Sequence, residues 1–169
     1  MAKAKKSNSK ISASIMDLVT PVNRLKEKYD EVLEEVSKSA QKVIAAEVKS
    51  LLHSVPELES IVWRQYTPGF NDGDPCVFEV HSLNFVFKCD IKLNETGYDA
   101  GEEVDIHSSE IEISAIQKSG ESKPVDGQAI LDFMQSFGLI SHDLLLNAFG
   151  DGHEIKVTRS GFDITEYYE

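Results

Sequence analysis

From Val22 the apolar positions fall at Val22, Leu25, Tyr29, Val32 and Val36, in the alternating steps of three and four that mark helices packed along a seam. Past Val36 the row drifts by fours through Ala40, Ile44, Val48 and Leu51 or Leu52, a stutter at which a regular supercoil relaxes. Arg24, Glu27, Glu31, Glu34, Lys38 and Lys42 occupy the other side, with Glu34 and Lys38 at the favourable i,i+4 spacing. Thr20-Pro21 has the form of an N-cap followed by proline at the first helical position. The pattern therefore predicts a short helix from Ser12 or Ser14, carrying Ile15, Leu18 and Val19, and then a long one that Pro56 bounds near His53. A helix of about thirty residues is roughly 45 Å long, more than a small body covers from end to end. The seam Val22, Leu25, Tyr29, Val32 and Val36 is accordingly expected to join copies of the chain into a homo-oligomer.

After Pro56 the period changes to two. Ile61, Trp63 and Gln65 alternate with Val62, Arg64 and Tyr66, predicting a strand. Cys76, Phe78 and Val80 share one face of a second, and Phe85, Phe87, Cys89 and Ile91 one face of a third beyond a tight link at 81–84. Residues 93–117 hold no Lys or Arg; their first half reads as an acidic loop and Ile111, Ile113 and Ala115 as a fourth strand. A polar connector, KSGESKP, precedes a helix over Val125 to Phe137 stopped by Gly138, then a short helix capped by Ser141 and ended by Gly150. The chain closes on two strands around Ser160-Gly161. The fold class is α+β: a long N-terminal helix, an antiparallel sheet of about six strands, and two short helices on one face. The segments are a basic tail over 1–10, a helical stem over 11–56 and an α+β domain over 57–169, with Trp63, Phe70, Phe78, Phe85 and Phe87 assigned to the core or to anchoring a loop.

Composition narrows the function. The 169 residues carry a formal net charge of -12, so the folded body repels phosphate and is not expected to bind nucleic acid; Lys3, Lys5, Lys6 and Lys10 belong to the tail. Asp99, Glu102, Glu103 and Asp105 form an acidic pole, a candidate surface for a basic partner. Cys76 and Cys89 form no CxxC pair and read as reduced thiols. No apolar run reaches membrane-spanning length, no h-region follows the basic start, and the expected location is the cytoplasm.

The stretch WRQYTPGFNDGDPC concentrates the candidate chemistry. Its plain reading is a hairpin loop, with Pro68 ending a strand, Gly69 and Gly73 at positive φ and Pro75 stiffening re-entry. Asn71, Asp72 and Asp74 offer oxygen ligands to a divalent metal, yet the frame of a calcium loop is not met, since the twelfth position counted from Asp72 is Leu83. Cys76 and His81 are the nearest candidates for a nucleophile and base. His53, His81, His107, His142 and His153 lie in different elements, and neither HExxH nor GxSxG occurs. No cofactor is expected.

The run ELESIVWRQYTPGFNDGDPCVFEV resembles a segment of uncharacterised bacterial and bacteriophage-encoded proteins, in which a helix leads into a W-x-Q-Y-T-P-x-F-N-D-G-D-x-C-x-F strand, turn and strand. Trp63, Gln65, Tyr66, Thr67, Pro68, Phe70, Asn71, Asp72, Gly73, Asp74, Cys76 and Phe78 carry the likeness. It implies a phage or bacterial origin and no particular activity. The expected function is a non-enzymatic, acidic interaction module that self-associates through its N-terminal helix, with a phage-encoded modulator of a basic host protein as the special case. A small metal-binding protein or enzyme built on the NDGD loop, and a virion structural component, are the alternatives.

Overall fold

In the computed structural model, residues 7–70, 72–107 and 111–168 are described, those of 7–18 by their helical backbone alone. The chain forms two compact units, Met1–Val36 and Ser37–Glu169.

Helix α1 runs unbroken over Ser7–Ser54 with Pro21 inside it, so the expected cap at Thr20 and the separate first helix are not formed. An interior proline forfeits one i→i−4 hydrogen bond and crowds the turn before it, at about 3 kcal/mol. The helical backbone nevertheless continues through it from Ser7 to Ser54.

In the first unit the row Val22, Leu25, Tyr29, Val32 and Val36 is exposed along its length. In the second unit α1 contributes Ala40, Ile44, Val48, Leu51 and Leu52 to the core. Val43, a heptad beyond Val36, is 61% exposed. The apparent stutter thus marks the passage from an exposed apolar row to a buried one. The unit boundary consequently falls at 36/37 and not at 56/57, because the last turns of α1 are part of the body's core.

Among the described residues the body contains nine strands in two antiparallel sheets, where about six in one were expected. The first is ordered β5-β2-β1-β8-β9, with β1 at Leu58–Tyr66, β2 at Glu79–Phe87, β5 at Glu103–Asp105, β8 at His153–Thr158 and β9 at Phe162–Glu166. The second is ordered β4-β3-β6-β7, with β3 at Ile91–Leu93, β4 at Thr96–Tyr98, β6 at Ile113–Ile116 and β7 at Ser122–Val125. The link expected at 81–84 lies inside β2. What read as two strands is one, because a bulge there mimics a turn: Arg64 pairs with Ser82 and Gln65 with Val80, leaving His81 as the extra residue. The acidic segment taken as a loop contains β4 and β5, and the polar connector contributes β7. These three- and four-residue strands are too short to show an alternation.

Helices α2 (Gly127–Gly138) and α3 (His142–Phe149) follow. Asp126 caps α2 through the Ala129 N–H, and Ser141 caps α3 through the Leu144 N–H. Gly138 is the last residue of α2 and not its terminator; the chain leaves through Leu139 in a right-handed conformation. Trp63 stands edge-on to Phe137 of α2 and Phe149 of α3, each ring centroid 5.3 Å away, and Phe85 meets Phe133. Phe87 is also buried and Phe78 packs at the core's margin, but Phe70 is 78% exposed, outside the core. In the final hairpin the Thr158 N–H donates to the Gly161 carbonyl, so the two turn residues are Arg159 and Ser160, one position before the pair the sequence suggested.

Candidate functional site

Strand β1 ends at Tyr66, and the loop to β2 begins with a fastening the sequence did not reveal. The backbone N–H and hydroxyl of Thr67 donate to the two carboxylate oxygens of Asp151 at 2.7 and 2.8 Å. Beyond it, Asp72 (φ 36°) and Gly73 (φ 96°) take left-handed conformations, whereas Gly69 does not. Asp72, Asp74 and Cys76 are exposed; Asn71 lies outside the described residues. Cys76 stands before β2 and not within it, since the strand starts at Glu79. Among the described residues, no group of three or more His, Cys, Asp or Glu side chains is placed to hold a metal ion.

The bulge at His81 turns its ring onto Tyr66, with centroids 3.7 Å apart, and brings Nε2 within 3.0 Å of the Tyr66 carbonyl. The imidazole is thereby engaged by Tyr66 and not by Cys76. His81 lines a groove of about 330 Å³ together with Asp105, His107, Met134, Phe137 and His142. The other histidines there have partners too: His107 Nε2 lies 2.9 Å from Asp105 Oδ2, and His142 stands edge-on to Phe78. Cys89 is half-buried and unpaired; burial first, then the charges of Glu57 and Asp90, push its thiol pKa up, which leaves it protonated and a poor nucleophile.

The acidic pole divides into parts with different surroundings. Glu103 in β5 is engaged internally: Arg64 Nη2 lies 2.9 Å from Glu103 Oε2 and 2.7 Å from Glu154 Oε2, and Asn84 Nδ2 donates to Glu103 Oε2 at 2.8 Å. Burial alone would lower the Arg64 pKa, but the hydrogen bonds and charges of Glu103 and Glu154 raise it. Its guanidinium also lies 5.6 Å from the centroid of the Tyr167 ring. Glu102 accepts the Asp99 N–H at 2.9 Å and so closes its own turn. Asp99, Glu102, Glu103 and Asp105 are all exposed, yet Glu103 serves the sheet and Asp105 pairs with His107.

A further exposed feature is the first apolar row of α1. Val22, Leu25, Tyr29 and Val32 are 62, 70, 63 and 58% exposed, and Val36 is 41% exposed. Four turns of helix thus show water an apolar row from Val22 to Val36. Lys28 and Glu35, also exposed, flank it on one side.

No single helix among the described residues is long and apolar enough to cross a membrane; α2 and α3 pass that test together, but they are bent by 91° and turn Ile130, Phe133, Phe137, Leu145 and Phe149 into the core. No family model, no curated protein and no solved structure matches this chain.

Proposed function

We propose that this protein is a self-associating protein-interaction module that joins copies through Val22, Leu25, Tyr29, Val32 and Val36 and presents an acidic body to a basic partner. The observation that carries the reading is the exposure of this heptad row in a helix whose second apolar row is already buried. Covering a Val- or Leu-sized side chain gains about 1.5–3 kcal/mol relative to leaving it in water, so four or five such positions on each copy outweigh the entropy of pairing two preformed helices. Two features favour binding over turnover as the mode of action: His81, His107 and His142 each have a structural partner, and Arg64 is held between two carboxylates.

Light scattering on the full chain tests the proposal. The protein is expected at a multiple of the chain's 18.8 kDa, and Leu25→Glu/Val32→Glu at the mass of one chain with the body's melting temperature unchanged. A wild-type protein of one-chain mass at micromolar concentration would overturn it.

A further inference from the structure

The exposed row has a chemistry that selects how a second copy would lie on it. With Val22, Tyr29 and Val36 in the first core position of the heptad and Leu25 and Val32 in the fourth, the residues flanking the core are Lys28 and Glu35 on one edge and Lys26 and Leu33 on the other. In a parallel pair each flanking residue meets one from the opposite edge of its partner, which sets Lys28 against Leu33 and stacks Tyr29 on its own copy. In an antiparallel pair, like edges meet. Lys28 then faces Glu35 of the second copy, Glu35 faces Lys28, and the core layers become Tyr29 against Val32 and Leu25 against Val36. Each large side chain opposes a smaller one, and both charges on the outer edge find an opposite charge.

We infer that the partner of this stripe is a second copy of the chain lying antiparallel, with a two-fold axis between Tyr29 and Val32 and two Lys28–Glu35 pairs across the seam. The inference rests on the self-association proposed above. It adds orientation and register: the arrangement is isologous and closes at two copies, and the rest of each chain leaves the seam in opposite directions along it.

Cross-linking separates the two orientations. In a Cys76→Ser background, Leu25→Cys and Val36→Cys chains are prepared singly and mixed, then treated with a short bis-maleimide. The mixed sample is expected to give cross-linked dimer while each variant alone gives none, since the like positions lie about 16 Å apart along an antiparallel seam at 1.5 Å per residue. Cross-linking of each variant with itself would establish a parallel pair and overturn this inference while leaving self-association standing; one-chain mass for the wild type would overturn both. A charge exchange supplies a second readout. Lys28→Glu is expected to weaken the dimer by about tenfold, two surface attractions becoming two repulsions, and Lys28→Glu/Glu35→Lys to restore it. Failure of the double variant to recover affinity would also count against the antiparallel register.

Discussion

Gln65 illustrates how a polar residue on a buried face specifies its surroundings. The period-two pattern sets it on the side of β1 that carries Ile61 and Trp63, and all three side chains are fully buried. Its amide nitrogen donates to the Leu145 and Gly150 carbonyls at 3.2 and 2.6 Å, and its oxygen accepts the Trp63 indole N–H at 3.1 Å. The side chain thus ties the central strand to the end of α3, where Gly150 (φ 83°) turns the chain. Gln65→Leu keeps the volume but strands an indole N–H and two carbonyls, at about 1–3 kcal/mol for each group left unpaired. Chemical denaturation is expected to show a loss of at least about 2 kcal/mol; an unchanged midpoint would mean that water replaces the amide. Glu57 supplies a pH-dependent counterpart. Burial would push its carboxyl up, but the hydrogen bond from Lys123 at 2.9 Å, a backbone hydrogen bond and the charges of Lys123 and Lys88 hold it below the ordinary range. A depressed carboxyl stabilises the fold above the ordinary glutamate value of about 4.3 and loses that contribution as pH falls through its folded-state value. The stability gap between wild type and Glu57→Gln is therefore expected at neutral pH and should close in acid. A gap of constant size from pH 7 to pH 3 would show that the Lys123 contact does not act through charge.

At the scale of elements, the end of α1 is fastened by a distant part of the chain. Arg159, in the turn between β8 and β9, donates from Nη1 to the Leu58 carbonyl at 3.1 Å and from Nη2 to the Leu52 carbonyl in the last turn of α1. Its cation satisfies a carbonyl left open at the helix terminus and offsets the partial negative charge there. Arg159→Ala is expected to cost about 1–2 kcal/mol, with faster amide exchange in residues 50–54 than in β1; uniform protection across both elements would show that the guanidinium does not hold the helix end. Sequence periodicity does locate α1, β1, α2, α3 and the final hairpin, because each is long enough or well enough capped to carry its own signal. It fails at β4, β5 and β7, where neighbouring strands supply the pairing and three or four residues show no period. It also misreads Pro21 and His81, two local interruption signals that the surrounding helix and strand override.

On the scale of the whole molecule, the placement of charge and apolar surface bears on function. Of the four acidic residues expected to face a partner, Glu103 shares Arg64 with Glu154, Asp105 meets His107 and Glu102 closes its own turn. The candidate metal residues Asp72 and Asp74 sit in an exposed turn, in keeping with the plain hairpin reading of that loop. The apolar row of α1 is legible residue by residue in the sequence, since heptad spacing depends only on helix geometry. That it comprises two rows, one buried in the body and one open from Val22 to Val36, is not legible there. The amino-acid sequence by itself determined where the long helix, β1, the two short helices and the final hairpin fall and where the stripe runs, because these follow from periodicity and capping within a few turns of chain. Only the tertiary structure decided which side of α1 the core consumes, that the described strands divide into two sheets, and that Gln65, Arg64 and Arg159 are bound to groups far along the chain. Those outcomes depend on which surfaces meet when distant segments compete for the same buried space, and no local pattern records that competition.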